Sequence, residues 1–288
     1  MFIKVAVDEL DPMLVMELRC IIGAIPLWLT AWFLRRRRGE RIVAESVSAV
    51  RSRPWSLLAL GLLTGLPLWF VALGEQHIDS GLAGIVNASV PLWAALLAIR
   101  FDREHPTGPR RLLGVAVGFA GVVLLAAARG ALGGSAEVIG ILTVACAGLM
   151  YAAGAILVRE RLGGLPSVEN AAWSVTIAAL LFVIPAARVL PDALPSAEAM
   201  GSLFALGFLG TFLGFLGYYE LLNRVGAARA TMVTYLLPPL AVGYGWMLLE
   251  ERVGPETFGA MLVVLLGVWL GSRAERTKVS GATAPAAP

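Results

Sequence analysis

Charged residues are scarce in this sequence, and long apolar runs take their place. Asp, Glu, Lys and Arg make up 15% of the 288 residues, hydrophobic residues make up 58%, and the mean hydropathy is +0.78. One soluble core of this length could not hide so much apolar surface. The composition therefore excludes an ordinary soluble domain and places the chain in a lipid bilayer.

Cysteine, histidine and lysine are too few for several kinds of site. Cys20 and Cys146 fall in apolar segments without CxxC spacing, and His77 and His105 stand alone in loops. Neither a disulfide framework nor a metal centre is expected. Neither of the two lysines belongs to a GxxxxGK[ST] loop, which excludes a Walker-type ATP site. We therefore expect no cofactor and no metal, and any transport is secondary or passive.

Apolar segments about as long as a bilayer is thick recur along the chain. A hydrocarbon core about 30 Å thick needs roughly 20 apolar residues in a helix. The sequence predicts nine complete spans, at residues 13–34, 55–73, 81–99, 112–128, 138–158, 170–190, 200–222, 230–249 and 257–271. The apolar start MFIKVAV is too short to cross. It fits either the outer end of a first helix or a frayed segment at the interface.

The placement of arginine predicts the orientation of these spans. Basic clusters follow the first, third and last spans, at residues 35–53, 100–111 and 273–278, whereas the loops between them hold few cations. Positive loops stay in the cytoplasm, so we expect a multi-pass protein of the cytoplasmic membrane with its C-terminus inside. The same alternation accounts for the net charge of +3 without a nucleic-acid partner.

Two blocks of the sequence repeat one pattern. Residues 85–104 (IVNASVPLWAALLAIRFDRE) align with residues 232–251 (MVTYLLPPLAVGYGWMLLEE), and in each block a proline, Pro91 or Pro238, precedes a glutamate by thirteen residues. Five spans per repeat give ten, and an odd number inverts the second repeat relative to the first. Inverted repeats are typical of secondary transporters. We predict repeats at 1–128 and 138–271 and a disordered cytoplasmic tail at 272–288.

These blocks and their flanks resemble the EamA family of the drug/metabolite transporter superfamily. The resemblance rests on FIKVAVDELDPMLVMELR, on PLWAALLAIRFDRE with the following LLGVAVGFAGVVLL, and on the long stretch from YYELLNRVGAARA to LLGVWLG. It implies an all-α integral membrane fold of ten helices in two inverted five-helix repeats, with the first helix truncated here and nine spans complete. Two features depart from the family pattern: a half-helix usually precedes FIK, and FDRE replaces a more usual Gly-Glu.

Candidate binding residues cluster around the repeated prolines. Pro91, Pro238 and Pro239 are expected to kink two helices beside a central pathway. Asn87 and Thr234 lie four residues before Pro91 and Pro238, so an amide and a hydroxyl would sit beside backbone groups that the kinks free. Further amphipathic wall residues are Ser89, Trp69, Trp93, Tyr151, Tyr218 and Tyr235. For each of these, interhelical hydrogen bonding or a place among lipid headgroups is the alternative.

Two ionisable residues fall within the first complete span. Glu17 and Arg19 point about 200° apart around a helix, so they cannot pair side by side. The resemblance favours Arg19 as a substrate-binding residue, while snorkelling to the outer interface is its alternative, and Lys4 is equally ambiguous. Glu220, beside Arg224, is expected to form an interfacial ion pair.

The expected function is a secondary transporter, and not an enzyme, that exports a small metabolite by alternating access. The resemblance implies an amino acid, a related compound or a drug-like molecule as the small-molecule substrate, carried by a monomer or a homodimer. The alternative on the same scaffold is a flippase for a lipid or a lipid-linked sugar. A membrane-embedded enzyme is disfavoured because acids and histidines do not cluster within the spans. Small-xxx-small glycine pairs, including Gly61/Gly65 and Gly210/Gly214, predict close helix packing.

Overall fold

The computed structural model describes residues 2–38, 52–101, 109–128, 135–162, 165–225, 237–248 and 254–279. These residues form helices and short connections, without a strand among them. The helices are α1 (Phe2–Val7), α2 (Pro12–Arg38), α3 (Pro54–Glu75), α4 (Ser80–Asn87), α5 (Val90–Phe101), α6 (Pro109–Ala128), α7 (Ser135–Leu157), α8 (Ser167–Ala187), α9 (Ala197–Ala205), α10 (Gly214–Val225), α11 (Leu237–Leu248) and α12 (Pro255–Val279). A first π-helical segment, Val158–Leu162, continues α7, and a second, Leu206–Leu213, joins α9 to α10.

Most predicted spans correspond to helices that can cross a bilayer. Within the described ranges, six segments are long and apolar enough: Pro12–Arg37, Pro54–Glu75, Ser80–Leu97, Ala136–Leu162, Ser167–Ala187 and Ala197–Arg224. Shorter apolar stretches, Leu112–Leu124 and Pro255–Leu270, match the predicted spans 112–128 and 257–271. Of the predicted span 230–249, the structure describes the part that forms α11. The all-helical membrane fold is confirmed.

Helices from the two halves of the chain pack in matched pairs. α2 packs on α8, α4 on α11 and α6 on α12, and these partners hold equivalent places in the two predicted repeats. Other contacts between the halves also correspond in pairs. The contact of α3 with α7 corresponds to the contact of α9 with α1. The contact of α3 with α8 corresponds to the contact of the second π-helical segment with α2. This is the pattern that two similar five-helix units produce when they face each other.

The described part of the bundle has one end rich in arginine, called the arginine-rich face below. α2 ends there and α3 begins there, and Arg53 Nη1 donates a 2.5 Å hydrogen bond to the Arg161 carbonyl oxygen. Arg35 forms a buried ion pair with Glu169 at 2.5 Å, which ties the end of α2 to the start of α8. The other end, where α1 meets α2, is called the opposite face.

The first helix is short but packed. In α1, Ala6 and Val7 are buried, and the helix contacts α9, α3 and α2. Lys4 Nζ donates to the carbonyl oxygen of Glu75 at 2.7 Å, at the end of α3. These contacts favour a helical segment built into the bundle over a frayed segment at the interface.

The helix that contains Pro91 is interrupted. α4 ends at Asn87 and α5 begins at Val90, so Pro91 lies in the first turn of α5. Proline has no backbone N–H, so the Asn87 carbonyl lacks its usual helical donor four residues later. Tighter bonds carry the chain across the gap, including Ser89 N to the Val86 oxygen at 3.0 Å. Pro238 and Pro239 lie in the first turn of α11, and the chain before that helix is outside the described residues.

Candidate functional site

A cavity of about 260 Å³ lies between helices of both halves. α2, α3 and the α4–α5 break supply one part of its wall, and α7, the second π-helical segment and α10 supply the other. Apolar side chains dominate the lining. The polar lining residues are Arg19, Thr64, Asn87, Tyr151, Tyr218 and Tyr219.

The cavity extends from the level of Arg19 towards the arginine-rich face. Its lining runs from Arg19, about two helical turns from the start of α2, and Asn87, near the middle of its span, to Leu222 of α10 and Val158 of the first π-helical segment, which lie closer to that face. Towards the opposite face, α1, α2 and α9 close together through a cluster of buried apolar side chains. The cluster includes Ala6, Leu10, Leu14, Leu203 and Leu206.

Arg19 is fixed by the second π-helical segment. Its side chain is 6% exposed, and Nε donates to the Thr211 hydroxyl oxygen at 3.1 Å. The Thr211 hydroxyl in turn donates to the Leu206 carbonyl oxygen, five residues earlier, at 3.1 Å. Arg19 thus points into the bundle, so the snorkelling alternative does not describe this structure.

Two glycines, Gly23 and Gly207, allow the arginine and the threonine to come so close. A Cβ on Gly23 would lie 2.6 Å from Thr211 Cγ2, and a Cβ on Gly207 would lie 2.5 Å from Ile22 Cβ. Any larger residue would push α2 away from the π-helical segment. Gly210 lies against the guanidinium, with its Cβ position 3.5 Å from Arg19 Nη2. This close approach holds the buried Arg19 side chain at the wall of the cavity.

Tyrosine side chains form much of the remaining polar wall. The ring of Tyr218 lies edge-on to that of Tyr219, with centroids 5.9 Å apart, and Tyr151 of α7 lies near Tyr218 and Arg19. The Tyr219 hydroxyl faces the side-chain oxygens of Ser174 and Thr64. These hydroxyls can donate or accept hydrogen bonds beside an apolar surface.

Asn87 brings an amide to the cavity at the α4–α5 break. It is the last residue of α4 and is half-buried. Its Oδ1 is buried and accepts no hydrogen bond from the described protein groups. A buried amide oxygen of this kind can accept a hydrogen bond from an N–H or O–H group of a ligand.

The other candidates lie elsewhere. Ser89 is 1% exposed within the α4–α5 break, and Trp69 packs half-buried against the core with its ring 5.4 Å from that of Phe70. Trp93 packs edge-on against Phe119, with ring centroids 4.6 Å apart. None of the three is among the described lining residues. Thr234 and Tyr235 lie outside the described residues.

Sequence reasoning missed Thr64, Thr211 and Tyr219. A periodic signal was present for two of them: Leu60, Thr64 and Leu68 recur every four residues along α3, and all line the cavity. Phe215, Tyr219 and Leu222 recur at steps of four and three residues along α10, and they line the cavity too. Thr211 had no such signal, because its role depends on contact with α2. Gly210 and Gly214, expected to pack helices together, line the cavity instead.

Charged residues outside the cavity form separate contacts. Glu17 is 3% exposed, and it is absent from the described lining. Glu220 pairs with Arg224 at 2.7 Å and accepts a hydrogen bond from the Ser167 hydroxyl at 2.7 Å. No cluster of His, Cys, Asp and Glu suited to a metal ion occurs in the part of the chain that the structure describes.

Comparison with known proteins identifies the fold and the family. The model of the EamA-like transporter family matches twice, over residues 1–127 and 138–273. The chain belongs to this family. A relative from Archaeoglobus fulgidus, named an uncharacterized transporter, is 30% identical over 93% of this chain and 91% of its own length. A solved crystal structure superposes with a TM-score of 0.69 at 19% identity, covering 95% of this chain and 92% of the other, which shows the shared fold.

Further relatives of the EamA-like transporter family agree with this assignment. An inner membrane transporter of Escherichia coli, also named uncharacterized, is 26% identical over 92% of this chain and 81% of its own length. A protein of Streptantibioticus cattleyicolor named "probable terminal-alkyne amino-acid exporter" is 29% identical over 77% of this chain and 75% of its own. The protein is thus a multi-pass membrane transporter of the drug/metabolite type.

Proposed function

We propose that this transporter exports a small carboxylate-bearing metabolite, an amino acid or a close relative, and that Arg19 binds the carboxylate. The buried position of Arg19 at the cavity carries the proposal. Among the lining residues that the structure describes, Arg19 is the charged one. A buried cation within a membrane is costly unless it is paired or hydrated, and a carboxylate ligand forms charge-assisted, two-pronged bonds with a guanidinium.

The other polar groups suit the rest of such a molecule. The Asn87 amide oxygen can accept from an ammonium or hydroxyl group, and the hydroxyls of Tyr151 and Tyr218 can bond to either end of a zwitterion. The cavity volume of about 260 Å³ is below the range of about 300–1,000 Å³ that drug-sized ligands occupy. This size supports a compact metabolite over a large drug or a lipid-linked sugar.

Export is supported by the side on which the cavity lies. The cavity extends from the level of Arg19 towards the arginine-rich face, and positive loops mark the cytoplasmic side of membrane proteins. A substrate would therefore enter this state from the cytoplasm. The name of the Streptantibioticus relative, an amino-acid exporter, is in keeping with both the cargo and the direction.

Alternating access is supported by the matched helix pairs. Because α2 packs on α8 and α4 on α11, a small rocking of one half against the other exchanges equivalent contacts. Such a movement would separate the apolar cluster at the opposite face and close the cavity towards the arginine-rich face.

The proposal is tested by ligand binding and transport with the purified protein. Melting temperature in detergent is measured with amino acids, with the matching amines and amides that lack a carboxylate, and with lipid-linked sugars. Ligands that bind the folded state alone raise the melting temperature. We expect a shift with carboxylates, and export of the same compounds from right-side-out vesicles or cells.

Variants separate the role of Arg19 from general effects of charge. Arg19→Gln should weaken binding at least about 30-fold, since loss of one partner from a buried charge pair removes about 2–5 kcal/mol. Arg188→Gln removes an exposed arginine and should leave binding unchanged. Equal shifts with amines, binding that survives Arg19→Gln, or a shift with lipid-linked sugars alone would each overturn the proposal, the last in favour of a flippase.

A further inference from the structure

Along the exposed side of α2, the type of side chain changes from one turn to the next towards the arginine-rich face. Ile21, Ile25 and Leu29 recur every four residues, and each is exposed on the surface of the bundle. Trp32 and Phe33 follow on the same side, 46% and 48% exposed. Exposed Arg36 and Arg37 come one turn later. The order is aliphatic, aromatic, cationic.

The two arginines stack on the two rings. The guanidinium carbon of Arg36 lies 5.1 Å from the centroid of the Trp32 ring, and that of Arg37 lies 4.4 Å from the centroid of the Phe33 ring. Four residues separate the members of each pair, which places them one above the other on a helix. The rings hold the charges at a fixed height and orientation by cation–π attraction.

Arg35, which precedes these two arginines, points in a different direction. Successive residues of a helix point about 100° apart, so the arginines of this run cannot all face the same way. Arg35 turns inward to the buried ion pair with Glu169, while Arg36 and Arg37 remain on the outer side. The run thus divides into one structural arginine and two that face the surroundings of the protein.

The length of α2 sets the depth of these groups. Its 27 residues span about 40 Å at 1.5 Å per residue, more than a hydrocarbon core of about 30 Å. The last turns therefore extend past the acyl chains. Tryptophan and phenylalanine then lie near the glycerol esters, and the guanidinium groups reach the phosphates.

We propose that this surface of α2, residues 21–37, binds one anionic phospholipid. Its acyl chain would lie along the aliphatic stripe, its ester region against the two rings, and its phosphate at the two guanidinium groups. Phosphate matches the planar donors of arginine. The positive charge of a choline headgroup would be repelled by the guanidinium groups of Arg36 and Arg37. Headgroups with a net negative charge are therefore preferred over zwitterionic ones. Binding of this lipid would hold the end of α2 at a fixed depth.

The test compares phosphatidylglycerol with phosphatidylcholine of identical acyl chains. Native mass spectrometry counts bound lipids, and the melting temperature is measured in matched mixed micelles. We expect phosphatidylglycerol to bind about tenfold more tightly. Arg36→Gln/Arg37→Gln should abolish the preference, and Trp32→Leu/Phe33→Leu should reduce it while keeping the charge. The melting temperature of each variant in phosphatidylcholine alone reports on folding.

A matched control removes the same charge at the same face. Arg159 and Arg161 are exposed in the first π-helical segment, and Arg159→Gln/Arg161→Gln should keep the preference for phosphatidylglycerol. The proposal is overturned if the control loses the preference to the same extent, or if Arg36→Gln/Arg37→Gln retains it. It is also overturned if inorganic phosphate or glycerol 3-phosphate gives the same shift, since the site would then bind a soluble anion.

Discussion

The two ends of the helix bundle are closed by different kinds of contact. Towards the opposite face, apolar side chains of α1, α2 and α9 pack against one another, and α3 meets α7 at two glycines, Gly74 and Gly140. Towards the arginine-rich face, ion pairs and hydrogen bonds lie at the ends of helices, including Arg35 with Glu169 and Arg224 with Glu220.

This difference has a physical consequence for a transporter. Apolar contacts hold two surfaces together over an area, whereas polar contacts can exchange partners with water one at a time. The closed end therefore resists small displacements, and the polar end can rearrange around a ligand. The predictions below test whether each end behaves as its contacts require.

The largest effect on stability is expected at the buried ion pair. Glu169→Ala removes the carboxylate that pairs with the buried Arg35 cation, which costs about 3–5 kcal/mol. The apparent melting temperature in detergent should fall by many degrees. Glu220→Ala breaks the exposed pair with Arg224, where about 0–1 kcal/mol is expected. Equal losses from the two variants would contradict the distinction between buried and exposed pairs.

A smaller effect is expected from adding one methyl group at each end. A Cβ on Gly74 would lie 2.5 Å from Val144 Cγ2 and 3.0 Å from the Gly140 carbonyl oxygen, so Gly74→Ala should destabilise by about 1–3 kcal/mol. A Cβ on Gly154, in the cavity wall, would lie 3.5 Å from Leu63 Cβ, an ordinary contact. Gly154→Ala should leave the melting temperature unchanged or higher, because alanine favours helix.

Ligand binding distinguishes the two glycine variants further. The methyl group of Gly154→Ala should occupy part of the cavity and weaken binding of the largest ligands first. Gly74→Ala lies away from the cavity lining, so binding to the folded fraction should be unaffected. If Gly154→Ala lowers the melting temperature and Gly74→Ala does not, then close packing at Gly74 and free space at Gly154 would both be contradicted.

The next effect concerns the hydrogen bond that positions Arg19. Thr211→Val removes the acceptor of Arg19 Nε and should cost about 1 kcal/mol of stability and reduce carboxylate binding several-fold. Thr211→Ser keeps the hydroxyl and should retain most of the affinity. Binding is measured by isothermal titration with the purified protein. If serine and valine weaken binding alike, the methyl group of Thr211 and not its hydroxyl is what matters.

The smallest effect is a pH dependence at the opposite face. The Ser196 hydroxyl and backbone N–H donate to the Glu9 carboxylate, at 2.5 and 2.7 Å, and hold its pKa below the ordinary value of 4.5. Because the folded pKa is lowered, the contribution to stability is full above about pH 4.5 and is lost as the pH falls through the folded pKa. Glu9 is fully exposed, so the effect is slight.

The measurement for Glu9 is the melting temperature between pH 3 and pH 7, on the order of ten points across the range, for the wild type and for Glu9→Gln. The variant should lack a small part of the acid-induced fall seen in the wild type. Identical curves would show that the contact with Ser196 contributes nothing measurable.

Much of the fold followed from the sequence because hydropathy sets it locally. The apolar runs predicted the helices from α2 to α10 to within a few residues, since a bilayer requires each crossing segment to satisfy its own backbone hydrogen bonds. Boundaries differed where polar residues continue a helix beyond the apolar run. α2 extends to Arg38 instead of ending at residue 34, because Arg35 has a buried partner on α8.

The candidate site was only partly predictable. The interruption near Pro91 could be expected from the absence of a proline N–H, and Asn87, Tyr151, Tyr218 and Arg19 were all identified in advance as candidates and line the cavity. Trp69 and Ser89 carried the same kind of signal but face other helices. The rotation of a helix about its axis depends on its neighbours, and a single sequence with apolar residues on all sides does not specify it.

The sequence by itself determined that this chain is a helical membrane protein, because the transfer of each segment into lipid depends on the residues of that segment. The repeated proline pattern and the basic clusters at alternating loops are also features of the sequence. The direction in which Arg19 points was decided only by tertiary structure. Its side chain is long enough either to reach the interface or to turn inward. Contact with Thr211, 192 residues away, and the space at Gly23 and Gly207 allow the inward position.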